Sequence, residues 1–300
     1  MQSTPHYPDF KPLSLEDRGQ ITSFFSRQPP VTSELTFTNL FMWRHHYKYQ
    51  WCLGADSLLI TGENAEGLPF GLPPVGPHDL TPSFRMLFDF LSQLTPKPQI
   101  HRVPEILAQR YGEALSLAVE QDPANSDYVY RTESLINLSG RKYHRKRNHL
   151  NQFRTRYSYT YEHLSKEYIE ASLGLEEEWC RLRSCAENPA LLNEEQAIRE
   201  ALIHFDELDC QGGVILVDGR VVAFSLGEPL NPDTVVIHLE KANPEFSGSY
   251  AVINQEFCQH AWSDFTYINR EQDLGEAGLR QSKLSYYPDH MSNKFILRKT

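Results

Sequence analysis

Val214-Ile-Leu-Val217, the turn Asp218-Gly219, Val221-Val-Ala-Phe-Ser-Leu226 and Thr234-Val-Val-Ile-His-Leu-Glu-Lys241 read as three consecutive β-strands. They run into Glu245-Phe-Ser-Gly-Ser-Tyr250 and an amphipathic stretch with Tyr250, Ile253, Phe257 and Ala261 on one helical face. Short β-branched runs broken by an Asp-Gly turn suit strands, and the spacing that follows suits a helix. A strand that ends in a Gly/Ser turn and opens a helix gathers unpaired N–H groups and a positive helix end at one point. An anion suits that point. Phe246, Ser247, Gly248, Ser249 and Tyr250 are therefore the expected donor-binding turn, with Gly248 there to permit close approach.

Outward from this stretch, a helix is expected at about 249–262, a strand at 266–269, a helix at about 276–286 and a strand at 294–298. The first half repeats the order. A hairpin at about 47–53 and 57–62 leads to a Pro-rich extended segment at 68–76, then helix (82–94), strand (99–103) and helix (104–111). No residue-level repeat accompanies the shared order. The expectation is an α/β protein of mixed sheets in two copies of one unit, residues 1–135 and 136–300, with Tyr128-Val-Tyr130 and Leu135-Ile-Asn-Leu138 as strands across the junction. Stripes of apolar residues over 166–208 predict packed helices.

At 300 residues, 40% hydrophobic and 23% charged, the composition is that of a globular protein. No apolar run approaches the roughly 18 residues that cross a bilayer, and the first residues do not read as a signal peptide. Five cysteines without a C-x-x-C pair predict reduced thiols in a cytoplasmic protein. H-E-x-x-H, zinc-ribbon, Walker A, G-x-S-x-G and G-x-G-x-x-G patterns are missing, and His45-His46 is read as structural, so no metal is expected.

The net charge of −10 argues against DNA. Yet Glu133 and Glu162 bracket an interval without one acidic residue, holding Arg141, Lys142, Arg145, Lys146, Arg147, Arg154 and Arg156. Read as a helix, it puts Arg141, Lys142 and Arg145 on one face and Tyr143, Leu150 and Phe153 opposite. Phosphate binding and a solvated charged face both fit. Tyr157, Tyr159 and Tyr161 share one strand face, as a base-stacking platform or as core.

Four strings carry a resemblance: Thr36-Phe-Thr-Asn-Leu-Phe-Met-Trp-Arg44, Gly140-Arg-Lys-Tyr-His-Arg-Lys-Arg-Asn-His-Leu-Asn-Gln-Phe153, Asn269-Arg-Glu-Gln-Asp-Leu-Gly275 and Gly278-Leu-Arg-Gln-Ser-Lys-Leu-Ser-Tyr-Tyr-Pro288. With the order of elements, they resemble stand-alone proteins related to the C-terminal domain of phosphatidylglycerol lysyltransferase, within the Fem-like tandem GNAT acyltransferases. The resemblance implies two GNAT-like domains. It also implies an aminoacyl or acyl transferase taking aminoacyl-tRNA or acyl-CoA as donor and a small-molecule or peptide amine or hydroxyl as acceptor. A GNAT pyrophosphate loop reads Gln/Arg-x-x-Gly-x-Gly/Ala. Here an acid, Glu245, and a bulky Tyr250 stand in it, which favours aminoacyl-tRNA. A peripheral membrane contact stays open.

Acyl transfer to an amine needs a base, and Glu240, at the end of the third strand, is the first candidate. Glu271 and Asp273 are the others, placed to hold an amino group beside Asn269 and Arg270, whose guanidinium suits a carboxylate. Arg280 and Lys283, one helical turn apart, add a positive patch with Lys294. Ion pairs among these residues explain the same pattern. A non-catalytic binder of a small anion or amino-acid-like ligand is the competing reading. Catalysis expects Glu240, Glu271 and Asp273 to converge on the turn at 246–250.

Overall fold

The structure is a computed structural model that describes residues 4–299. Backbone packing divides it into two compact units. Unit 1 holds the chain up to residue 127 with 272–275 and 291 onward, and unit 2 holds 128–271 and 276–290.

Unit 1 begins with β1 (Lys11–Pro12), α1 (Arg18–Arg27), α2 (Phe37–Met42) and α3 (Arg44–Tyr47). The expected hairpin follows as β2 (Gln50–Gly54) and β3 (Ser57–Glu63), then β4 (Pro69–Gly71). Next come α4 (Thr81–Leu94), β5 (Gln99–Pro104), α5 (Glu105–Ala114) and β6 (Leu117–Gln121). Helix α4 forms because Pro82 fits its first turn and Phe84, Leu87, Phe88 and Leu91 recur at helical spacing. All four are buried, each contributing about 1.5–3 kcal/mol of transfer free energy. The Pro-rich third segment gives only a three-residue strand, since proline cannot donate to a ladder.

Unit 2 carries β7 (Asp127–Arg131), α6 (Thr132–Asn137), α7 (His144–Arg156), β8 (Tyr159–His163), α8 (Lys166–Leu182), α9 (Pro189–Ile203) and α10 (Phe205–Leu208). Then come β9 (Gln211–Val217), β10 (Arg220–Asn231), β11 (Thr234–Ala242), α11 (Ser249–Ala261), β12 (Tyr267–Asn269) and α12 (Ala277–Leu284). The short β13 (His290–Ser292) and β14 (Lys294–Lys299) end the chain.

The two sheets share a plan. One has the order β1-β2-β3-β4-β5-β14-β6 and the other β8-β9-β10-β11-β12-β7-β13. In each, the fourth and fifth strands are parallel, and the sixth, antiparallel to the fifth, comes from far away in sequence. This corrects the expected division at 135/136. Strand β7 completes the unit 2 sheet and β14 the unit 1 sheet, so Lys294–Arg298 is a strand as expected but in the first unit. Side-chain periodicity says that a segment is a strand, not which sheet it joins.

Two local expectations also change. Leu135–Leu138 lies in and at the end of α6, with Leu138 in the left-handed conformation (φ 46°) as C-cap. An apolar run that short fits either period. Cys180 and Cys185, expected as free thiols, are bridged: Ser184, at φ 52°, reverses the chain after α8 and brings their Cα atoms to 5.0 Å. Cys52, Cys210 and Cys258 are buried and form no disulfide among the described residues.

Candidate active site

The unit 2 sheet opens where β11 and β12 part. Their parallel ladder runs through Thr234↔Tyr267 and Val235↔Ile268 to Val236↔Asn269, and β11 continues alone on that side to Ala242. A register shift between Leu226 and Gly227 passes over His238 and so puts a bulge in β11, just beyond Ile237, where the parting begins. Gly227 is needed there, because an added Cβ would lie 2.5 Å from the Val236 carbonyl oxygen.

Two alternate residues of β11 face the exit of β12. Glu240 accepts a hydrogen bond from Arg270 Nη2 at 2.9 Å and from Asn254 Nδ2 of α11 at 3.0 Å. His238 joins two carboxylates, Nδ1 to Glu271 at 2.8 Å and Nε2 to Glu228 at 3.0 Å. Burial alone would lower the imidazole pKa, but the hydrogen bonds to Glu228 and Glu271 outweigh it and push it up to about 9. His238 is therefore charged at neutral pH.

The exit of β12 is tightly held. Glu271 sits in the left-handed region at φ 57°. Asn269 Oδ1 accepts its N–H at 2.8 Å, and its carbonyl accepts from Tyr128 N at 3.1 Å and Lys283 Nζ at 3.4 Å. Lys283 also donates to the Arg270 carbonyl. A non-glycine residue in that conformation costs about 1–3 kcal/mol and persists only where its surroundings fix it. Those bonds set the direction of Arg270.

Arg270 lies 4.9 Å from the Tyr286 ring centroid and 5.8 Å from that of Tyr130. Lys146, from α7, reaches the same Tyr286 ring at 3.7 Å. Burial, then the Arg270 charge, press its ammonium down to about 8, against the pull of Glu240. Cys258, on α11, has its thiol pushed up to about 12 by burial, so it is not a thiolate nucleophile near neutrality.

Several expectations separate here. Glu240 and Arg270 come together, and Glu271 stands one pair away, through His238. Asp273 does not join them: it lies in the segment belonging to unit 1, and its carboxylate accepts from Gly275 N at 2.8 Å. Asn269 and Lys283 brace backbone. Arg280 is exposed on α12. Lys294 is fully buried in unit 1, paired with Asp127 at 2.6 Å and Glu34 at 2.7 Å, so it belongs to no surface patch. The expected convergence of three carboxylates on the 246–250 turn does not occur.

That turn is also closed on itself. Phe246 N donates to Asn243 O, Ser249 N to Phe246 O, and Ser249 Oγ to Asn243 O. Gly248 has φ 96°, and a Cβ there would meet the His149 carbonyl oxygen at 2.5 Å. Its smallness admits the backbone of α7. The Tyr250 hydroxyl accepts from Trp179 Nε1 at 3.0 Å. Ser247 lines an open polar groove of about 520 Å³ with Asn148, Asn151, Gln152, Thr155 and Arg156.

The basic island divides by helical face as expected, with Tyr143, Leu150 and Phe153 buried. Arg141, Lys142 and Arg145 are exposed, whereas Lys146 turns inward and Arg147 donates to the Leu138 and Gly140 carbonyls. Tyr159 and Tyr161 do not form an open stacking platform. The Tyr159 hydroxyl donates to Glu256 at 2.6 Å, and Tyr161 stacks on His260.

Sequence reasoning missed His238, Glu228, Asn254, Tyr130 and Tyr286. His238 was within reach, since it lies two residues before Glu240 on a strand and so shares its face. Among the described residues no three His, Cys, Asp or Glu side chains form a metal-ligand set. Both His238 nitrogens are engaged by carboxylates.

Comparison with known proteins fits this arrangement. The family described as "Phosphatidylglycerol lysyltransferase, C-terminal" matches residues 26–298. A solved protein of unknown function from Bacteroides thetaiotaomicron is 34% identical, covering 97% of this chain and 99% of its own, with a TM-score of 0.91. The structure of L-PGS from Bacillus licheniformis superposes at a TM-score of 0.66 with 13% identity, covering 99% of this chain and 94% of its own. An uncharacterised protein of Mycoplasmoides gallisepticum is 24% identical over 178 residues, 58% of this chain. That match spans little more than half, 56%, of the curated relative. The fold is that of tandem GNAT and Fem-like acyltransferases.

Proposed function

We propose, from the premise that the chain belongs to the phosphatidylglycerol lysyltransferase C-terminal family, that it transfers an aminoacyl group from aminoacyl-tRNA to an amine acceptor. The reaction is placed in the cleft between β11 and β12. The acceptor nitrogen attacks the ester carbonyl, a C–N bond forms, and the C–O bond to the ribose breaks. The nitrogen's proton passes to Glu240 and from it to the departing ribose oxygen, while Arg270 holds the Glu240 carboxylate in place.

The single observation that carries this reading is the Glu240–Arg270 pair at 2.9 Å, with side chains 13% and 12% exposed, at the point where the sheet opens. Aminoacyl-tRNA is favoured over acyl-CoA because the 246–250 turn packs on α7 at Gly248 and turns its Phe246 and Ser249 N–H groups onto its own carbonyls, while Arg141, Lys142 and Arg145 are exposed on a stretch without acidic residues. The test uses labelled aminoacyl-tRNAs with a mixture of amine acceptors. Acceptor-dependent loss of acid-precipitable label, at least 100-fold slower in Glu240→Gln, is expected for loss of a general base. Transfer from acetyl-CoA but from no aminoacyl-tRNA would replace the donor. Ligand binding with neither transfer would leave the competing role of a non-catalytic binder.

A further inference from the structure

Two polar atoms beside Glu240 are left without partners. Arg270 Nη1 and Asn254 Oδ1 are buried and accept or donate no hydrogen bond, although each side chain spends its other arm on Glu240. The orientation of Asn254 follows from chemistry: a carboxylate only accepts, so Nδ2 faces Glu240 and Oδ1 faces away. Burying a polar group in this state is costly, so two of them flanking one carboxylate mark a place that a bound molecule completes. One is a donor carrying positive charge and the other a neutral acceptor. Lys146 reaches the same Tyr286 ring and feels the Arg270 charge, and among the described residues no ion pair joins it to a carboxylate. Tyr130 and Tyr286 supply flat walls.

Building on the reading of this cleft as the transfer site, we propose that its acceptor is an α-amino acid zwitterion, free or at the end of a peptide. The carboxylate bridges Arg270 Nη1 and Lys146, and the ammonium donates to Asn254 Oδ1 and Glu240. Opposite polarities on the two sides of Glu240 match the two ends of an amino acid. A phosphate would satisfy the two cations, but it would bring negative charge against the Glu240 carboxylate, where an ammonium brings positive charge. The ammonium also arrives next to the carboxylate that must remove its proton.

Calorimetric titration of the full chain with free L-amino acids and dipeptides, against their C-terminal amides, their N-acetyl forms and inorganic phosphate, tests this. At least one free acid should bind. Its amide and its N-acetyl form should each bind at least tenfold more weakly, and Lys146→Met and Asn254→Ala should each weaken the free acid tenfold. Preference for single amino acids or for dipeptides identifies the source. Equal binding of acid and amide, binding of phosphate alone, or no binding by any of the panel overturns the proposal. The two readings fail separately. Aminoacyl-tRNA consumption with another acceptor and no zwitterion binding overturns this inference alone, whereas zwitterion binding without transfer keeps the binding site and removes the transferase reading.

Discussion

His238 shows at the scale of one residue how the site is held. Its ring makes two hydrogen bonds to carboxylates with the side chain 1% exposed, and Glu271, one of those carboxylates, belongs to the left-handed residue that aims Arg270. The folded pKa, about 9, lies above the ordinary value of 6.5. Its contribution to stability is therefore complete below about pH 6.5 and is lost as pH rises through about 9. Denaturation midpoints measured from pH 6 to pH 9.5 should fall for the native protein more steeply than for His238→Gln. Identical slopes would show that His238 is not charged in the fold. Removing the imidazole should also slow transfer through Arg270 without touching substrate. Sequence reading reached Glu240 and Arg270 because charged residues at strand ends are conspicuous. It could not reach Asn254 and Tyr286, whose place beside Glu240 depends on how α11 and the segment after α12 pack.

At the scale of elements, the turn before α11 packs against the basic helix α7 through Gly248. Strands β9 to β11 and helix α11 were legible to within a few residues, since β-branched alternation and helical spacing are local signals. What Gly248 approaches was not, because the partner, the His149 carbonyl, lies about a hundred residues away in sequence. Gly248→Val should destabilise the protein by at least the roughly 1–3 kcal/mol of a strained backbone, lowering its melting temperature. An unchanged melting temperature would mean that α7 yields. In α7 the outward residues are Arg141, Lys142 and Arg145. Each phosphate they neutralise adds a log–log salt slope of roughly −0.7 to −0.9. The triple alanine variant should flatten the salt dependence of tRNA binding by about two to three such steps and leave stability nearly unchanged. A slope equal to that of the native protein would move the RNA contact elsewhere.

At the scale of the whole molecule, the repeated order of elements was readable and the exchanged sixth strands were not. Lys294 shows what anchors one of them. On β14, with no solvent exposure, it meets Glu34, Asp127 and the Ser33 hydroxyl. Arg102 pairs with Glu34 at 3.3 Å. Lys294→Met would leave buried carboxylates short of a counter-charge. It should cost about 3–5 kcal/mol, seen as a fall in the chemical denaturation midpoint. A loss below about 1 kcal/mol would mean that one carboxylate takes up a proton instead.

Transfer is proposed to take place where β11 and β12 part. The measurement that bears on it most directly is a crystal structure of the protein grown with a non-hydrolysable aminoacyl-adenosine amide. The aminoacyl carbonyl carbon is expected between the two strands, within reach of an acceptor held at Glu240, Arg270 and Asn254. Density for the aminoacyl group in unit 1, or on the outer groove beside Ser247 with the Glu240–Arg270 cleft closed, would contradict it.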